Sequence, residues 1–441
     1  AALAAVRQAL ARYEPGMRAP FADAVPLILR RGRAWGPLMR AERRIDWLRA
    51  TSAEVLRAVR GADGAPGLSD DALGCRWFDA HDAQPAAARA PAGAAGEFVA
   101  RRGPALLRRT ADGGVWLGHA RPEPGAAVPA PIKRPATEVF AELARRLPEL
   151  PVALDRADAA DWDELHYAES ADGHVGWLRF AFHNGAMDRT QCARLLQALR
   201  HARARRTRVL VLAGGEDHFC HGIHLHAIEA AQACGGSAAD ESWRSIQAID
   251  DVVLELLTLT DRLTVSALQG DAGAGGAFLA MAADEVWAHE AVILNPHYKN
   301  MGNLYGSEYW TYVLPRRVGA ERAQRITQGR LPLGVREAQA LGIVDACLAR
   351  DAGAFEAAAR ARAQALAHSA DWPARVAAKA RRRAADEAER PLAAYRGDEL
   401  QCMQRNFYGF DPSYHVARDH FVHRRAHAWT PRHLARHRRA R

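Results

Sequence analysis

Between residues 164 and 350 the spacing of apolar positions switches repeatedly between two periods. Residues 175–180 (VGWLRF) read as a strand, residues 191–204 as an amphipathic helix, and residues 208–212 (RVLVL) as a buried strand. This alternation predicts an α/β layered domain. The first 120 residues have a different texture. They open with helical patterns and continue as short β-like runs, residues 97–100 (EFVA) and 114–118 (GVWLG), split by Gly and Asp turns. Residues 122–135 (PEPGAAVPAPIKRP) are rich in Pro and Ala and read as a linker. From Ala354 onward, Ala- and Arg-rich periodic stretches predict helices. No internal repeat is visible. No stretch of about twenty apolar residues occurs, so no transmembrane helix is expected. No basic-then-apolar leader opens the chain, so no signal peptide is expected.

Composition adds limits to this picture. A chain of 441 residues is too long for one ordinary domain, so two or three are expected. With 49% hydrophobic and 25% charged residues it is globular rather than disordered. The formal net charge is +9, and only Lys133, Lys299 and Lys379 are lysines. Residues 401–441 hold nine Arg and two Asp, which places +7 of that charge in this segment. Arg- and Ala-heavy usage of this kind can come from a GC-rich genome, and no nucleic-acid motif accompanies it. Neither nucleic acid nor membrane is expected as a partner. The last arginines, Arg432, Arg436, Arg438, Arg439 and Arg441, read as a frayed basic end. The six cysteines, Cys75, Cys192, Cys220, Cys234, Cys347 and Cys402, show no C-x-x-C and no regular spacing. They suggest neither a disulfide framework nor a zinc ribbon, and a reducing, cytoplasmic compartment is expected.

Three pieces carry candidate chemistry. Residues 211–225 run from a strand into the turn AGGEDHFCHGIHL. Residues 265–284 run from a strand through the glycine-rich turn GDAGAGG into an apolar helix. Residues 292–298 (VILNPHY) precede 302–310 (GNLYGSEYW) and the basic helix end Arg316-Arg317-Val318-Gly319. Glycines at a strand-to-helix turn let backbone approach a ligand closely. The helix that follows leaves N–H groups unpaired beneath a partial positive charge. Such a turn suits a phosphate or an oxyanion formed during reaction. The spacing GxGG is not the dinucleotide fingerprint GxGxxG, and a nicotinamide cofactor is not expected.

In order and spacing these pieces, with Ala338-Gln339-Ala340-Leu341-Gly342-Ile343-Val344-Asp345 downstream, resemble the crotonase (enoyl-CoA hydratase/isomerase) family over residues 164–350. The resemblance implies a spiral of ββα units that binds coenzyme A thioesters. It also implies an oxyanion hole, whose backbone N–H groups fall on Ile223 and Gly275. It further implies two acid/base glutamates for a hydratase, but those positions hold Phe278 and His297. Ordinary hydration of a C=C bond is therefore disfavoured.

A second resemblance lies upstream. Trp35-Gly36-Pro37-Leu38-Met39, Arg44-Ile45-Asp46-Trp47, Asp63-Gly64-Ala65-Pro66-Gly67 and Asp112-Gly113-Gly114-Val115-Trp116 resemble the small, β-rich, OB-like C-terminal domain of formyltetrahydrofolate-using formyltransferases. This pairing, with the segments 295–312, 406–409 and 421–425, resembles hydrogenase maturation proteins of the HypX/HoxX type. The expected organisation follows. Residues 1–120 form the formyltransferase-like domain with a leading helix, and 121–138 the linker. Residues 139–350 form the crotonase-like domain, and 351–441 a helical CoA-covering region with the basic tail. The resemblance implies transfer of a formyl unit from formyltetrahydrofolate to coenzyme A and release of carbon monoxide for the iron of [NiFe]-hydrogenase. No Asn/His/Asp catalytic segment precedes Trp35. The chain is thus expected to be N-terminally truncated, with formyltetrahydrofolate relevant only when that domain is present.

Within this frame Glu308 is the candidate proton acceptor and Tyr298 a proton donor or orienting hydroxyl, with His297, Tyr305 and Ser307 as further candidates. Arg424, then Arg425 and Lys299, are candidates for the CoA phosphates. His218, Cys220, His221, His224 and His226 could hold zinc or nickel, but they coincide with the expected oxyanion-hole turn. A cavity-lining loop and no metal site is the expectation. Two other functions stay open. One is another hydratase, isomerase or thioesterase acting on acyl-CoA. The other is a non-catalytic CoA-binding module docking on a hydrogenase or maturation protein.

Overall fold

The computed structural model describes residue 39 and residues 43–64, 66–125, 131–157 and 159–426. Trp35, Gly36, Pro37 and Leu38 of the upstream match and the basic end from Arg432 to Arg441 lie outside them. Ile45–Arg441 forms one compact unit.

The upstream part is an antiparallel sheet. Its strands run in the order Leu68–Asp70, Cys75–Asp82, Gly114–Pro122, Ala105–Arg109, Phe98–Arg102. The helix Ser52–Ala62 packs on it. Thr51 starts that helix with a capping box, its hydroxyl accepting from Glu54 N while the Glu54 carboxylate accepts from Thr51 N, an arrangement that contributes about 1 kcal/mol. Val55 and Val59 bury against Trp77, Leu106 and Leu117. The Pro- and Ala-rich stretch is built into the molecule at its end. Ile132 and Lys133 are buried, and Arg134–Pro135 pairs with the edge of Gly114–Pro122. The missing N–H of Pro135 is tolerated because this is a two-residue edge strand.

The rest is a spiral of ββα units. The large sheet runs Ala346–Ala349, Glu285–His289, Leu263–Leu268, Val209–Ala213, Val175–Phe180, Leu165–Glu169. All neighbours are parallel except the last pair. Both faces of the central strands are covered, so Val209 to Leu212 and all of Leu263–Leu268 are buried, as a parallel sheet requires. After each of three consecutive strands the chain makes a short strand in a second sheet, ordered His218–Cys220, Asp271–Gly273, Ile293–Asn295, Leu333–Gly334. The first two of these short strands lead into the helices Leu225–Ala233 and Gly275–Met281, and the third leads through a longer loop into Trp310–Val318. The helices Leu392–Tyr408 and Ser413–Val422 then pack on Ala238–Leu257 and Leu225–Ala233. The repeated strand–strand–helix turn stacks the loops of successive units at one edge, where the site forms.

Candidate active site

Two loop ends meet there. Gly222 has φ +85, and a β-carbon on it would lie 3.2 Å from the Gly275 nitrogen. The N–H of Ile223 and that of Gly275, the first residue of its helix, are therefore carried by adjoining backbones. A residue at the helix start has no N–H partner within the helix, which suits Gly275 to an oxyanion.

A cavity of about 930 Å³ opens from this point. Ile223, Gly275, His297, Tyr298, Glu308, Arg424 and Arg425 line it. Ser307, Tyr305 and Lys299 do not. The Ser307 hydroxyl points away and donates to Asp250. Tyr305 leans on Trp310, with Lys299 over its own ring.

Glu308 is 1% exposed and its backbone is left-handed, with φ +60, as is that of Tyr309 with φ +56. Its carboxyl accepts from Ser307 N at 3.2 Å and pairs with the Tyr298 hydroxyl. That hydroxyl also reaches the Ser307 carbonyl, at 3.0 Å. It carries one hydrogen. It donates to Glu308 when the carboxyl is ionised, and to Ser307 when a protonated Glu308 donates to it. The Tyr298 ring stacks on Phe278 at 5.3 Å and 20°. Burial, and then the neighbouring Asp250, push the Glu308 carboxyl well above the usual carboxylate range. Burial, and then the Glu308 charge, raise the Tyr298 phenol well above its usual value. His297 is 3% exposed, neither ring nitrogen has a hydrogen-bond partner of normal geometry, and burial lowers its pKa.

Two buried acids behind the cavity escaped the sequence reading. Asp250, on the Ala238–Leu257 helix, accepts from Ser307 Oγ and Glu308 N, each at 2.8 Å. Glu399, on Leu392–Tyr408, accepts from Tyr309 N at 2.9 Å and Thr311 N at 2.8 Å. Burial raises Asp250 to about 7 and Glu399 to about 8. A signal existed in the sequence. Each acid falls on the apolar face of its helix, Asp250 beside Ile246, Ile249 and Val253, Glu399 beside Leu392, Met403 and Phe407.

The antiparallel sheet contributes to the same cavity. Lys133 lines it and donates to His183 Nε2 at 2.7 Å. His183 Nδ1 lies 3.5 Å from Asp79 Oδ1, and His119 Nδ1 lies 3.0 Å from Asp79 Oδ2. Burial lowers Lys133 to about 8 and His183 to about 3. Asp79, His119 and His183 are close enough to share an ion, as are Asp172, His174 and His368, and Glu229, Asp419 and His423. In the first set Lys133 already occupies His183 Nε2, so the Nδ1–H faces Asp79 and hydrogen bonds satisfy the group. The 218–226 residues spread out instead of converging. His218 and His221 pair at 3.1 Å, the Cys220 sulfur accepts from Gly222 N at 3.3 Å, and His224 Nδ1 caps its helix by accepting from Ala227 N at 3.1 Å.

Residues 179–432 match the enoyl-CoA hydratase/isomerase family. An enoyl-CoA hydratase from Bacillus halodurans shares the fold, with a TM-score of 0.50 and 17% identity over 58% of this chain and 99% of that one. The ββα spiral and the paired loop ends thus define a crotonase-fold protein. Hydrogenase maturation factor HoxX of Bradyrhizobium diazoefficiens is 49% identical over 99% of this chain and 73% of its own length. HypX from Aquifex aeolicus, solved with tetrahydrofolic acid, superposes with a TM-score of 0.84 at 39% identity, over 95% of this chain and 73% of that one. The chain belongs to the HypX/HoxX family of hydrogenase maturation factors.

Proposed function

We propose that this chain releases carbon monoxide from formyl-CoA. The observation that carries the reading is the Tyr298–Glu308 pair. It is buried at the end of the cavity against the Gly275 loop, while Phe278 and His297 stand where the crotonase resemblance places hydratase carboxylates. The cavity's size and its exposed basic rim, Arg424 and Arg425, fit a thioester with a phosphorylated tail. Lys299 lies outside the cavity and is not assigned a phosphate.

The steps follow from the geometry. The N–H groups of Ile223 and Gly275 polarise the thioester carbonyl and make its C–H more acidic. Glu308, ionised, takes the formyl proton. The C–H electron pair stays on carbon, the C–S bond breaks with its pair leaving on sulfur, and CO departs. Protonated Glu308 returns the proton to the thiolate, with Tyr298 holding it in line. Thioester in, CO and free thiol out, the reaction is balanced without an oxidant. The formyl unit originates on a formyltetrahydrofolate-type donor, in keeping with the folate bound by the Aquifex protein. The product serves a hydrogenase or maturation partner in the cytoplasm. The six cysteines are unpaired, and no described helix is long and apolar enough to cross a membrane.

The test supplies formyl-CoA and traps CO with reduced myoglobin. The expected result is CO released with one equivalent of free CoA, abolished by Glu308→Gln. Turnover of crotonyl-CoA instead would assign a hydratase. Tight CoA binding with no turnover would assign a docking module.

A further inference from the structure

The turn that presents Glu308 is held from behind by a second acid. Asp250 is fully buried on the Ala238–Leu257 helix, on the face it shares with Ile246, Ile249 and Val253. Both its oxygens accept from the Ser307 hydroxyl, and Oδ1 also accepts from Glu308 N. These contacts fix two consecutive residues, the second of them in left-handed backbone that a residue with a β-carbon adopts only under outside constraint. The Glu308 N–H thus points back to Asp250 while its side chain points forward into the cavity. Both carboxyls are held on Ser307, Asp250 through its hydroxyl and Glu308 through its N–H, and a charge on each at once is strongly opposed in this dry interior. One cation, Arg396, approaches Asp250, at 3.6 Å, and it also pairs with Asp251.

We propose that Asp250 is a positioning residue for the reaction: it locks the Ser307–Glu308 turn, and it shares a single proton with Glu308. This rests on Glu308 being the proton acceptor. Among the described residues, the charged and titratable groups that face the pair are Arg396 and Glu399 from the Leu392–Tyr408 helix, Asp251 beside Asp250, the phenols of Tyr298 and Tyr309, and the thiols of Cys192 and Cys220, which burial keeps neutral. Arg396 is the cation that favours the charge on Asp250, and the others either oppose further negative charge or are neutral. Above about pH 7 the pair therefore holds Asp250 ionised and the proton on or near Glu308. At higher pH Glu308 releases it and becomes the base. Once Glu308 takes the formyl proton, the charge on Asp250 favours its retention until the thiolate collects it. No atom of Asp250 is consumed, and the proton moves from carbon to Glu308 to sulfur. The switching hydrogen bond of Tyr298, to Glu308 or to Ser307, accommodates both states without moving a heavy atom.

The experiment compares the wild-type chain with Asp250→Asn, which keeps an acceptor and removes the charge. With formyl-CoA, the ascending limb of the pH–rate profile is expected to move to lower pH by about one unit or more. The kcat is expected to fall about ten-fold or more, with KM unchanged. A purely structural role for Asp250 would lower kcat and leave the limb in place, and that result overturns the proposal. Infrared titration of the protonated-carboxyl band, identified by its loss in Glu308→Gln, reads the same coupling without turnover. The Glu308 band is expected to titrate at lower pH in Asp250→Asn. If wild type releases no CO but this shift is present, the coupling stands and the formyl-CoA reading fails. If wild type releases CO and the band does not shift, the coupling fails alone. Should Asp250→Asn not fold, Asp250→Ser, which keeps an acceptor and removes the charge, gives the same measurement: the Glu308 band is expected to titrate at lower pH than in wild type, and an unchanged Glu308 titration overturns the proposal.

Discussion

Glu308 and Gly275 are packed directly against each other: the carboxyl of one occupies the space that a β-carbon on the other would need. In the proposed reaction this contact would bring the Glu308 carboxyl and the Gly275 N–H to the same carbon. The contact also explains why this turn requires glycine.

Gly275→Ala is expected to displace the Glu308 carboxyl and crowd the backbone N–H beside it. CO release should drop at least a hundred-fold, the scale on which single oxyanion-hole donors act. Far-ultraviolet circular dichroism should remain that of the folded chain. Near wild-type kcat in this variant would falsify the shared-carbon geometry.

Tyr298→Phe retains the stack on Phe278 and removes only the hydroxyl. It leaves the buried Ser307 carbonyl and the Glu308 carboxyl each short of a partner. The expected cost is about 1–3 kcal/mol of stability, read as a lower urea midpoint. The kcat is expected to fall by ten- to a hundred-fold. Unchanged kcat with lowered stability would leave Tyr298 a purely structural residue.

The buried acids set the sign of a pH dependence. Glu399 has a folded pKa of about 8 against an ordinary value of 4.5, and Asp250 about 7 against 3.8. Between those limits the folded chain keeps protons that the unfolded chain has released. Stability therefore falls as pH rises from about 4.5 to about 8, with a limiting slope of about 1.4 kcal/mol per pH unit for each such group. Glu399→Gln removes one titration. Its stability deficit relative to wild type should narrow between pH 5 and pH 8 in urea denaturation. A deficit that stays constant would show that Glu399 does not titrate in that window.

Arg424 stands at the exposed rim of the cavity, where its guanidinium donates to the Gly64 carbonyl at 2.7 Å. Arg424→Ala is expected to weaken CoA binding about ten-fold or more by calorimetry, as loss of a charge-assisted contact does. The kcat should stay within about two-fold of wild type. Binding that is unchanged for CoA would remove Arg424 from the phosphate contacts.

Much of this protein was legible in its residues. The buried strand read at 208–212 and the amphipathic helix read at 191–204 fall within one or two residues of the observed bounds, Val209–Ala213 and Arg189–Arg203. They do so because burial on both faces, or on one stripe, leaves a periodic mark in the chain. The glycine turn before Gly275 is legible for a similar reason, since close backbone approach admits few other residues. The linker reading missed how its last residues behave. Ile132 to Pro135 gain an edge strand and a buried lysine, which depend on partners far away in the chain.

Sequence alone determined the alternation of strands and helices, the glycine-bearing turn and the placement of Glu308 ten residues after Tyr298, because these depend on local patterning and short spacing. Only the tertiary structure decided what those groups face. Asp250 reaches Ser307 from 57 residues away, and Glu399 reaches Tyr309 from 90. It also turned Ser307 away from the cavity and brought Lys133 and Arg424 to it. The physical reason is desolvation. The protonation state of a carboxyl depends on which charges and dipoles replace its water, and no spacing along the chain specifies that replacement until distant helices close over it.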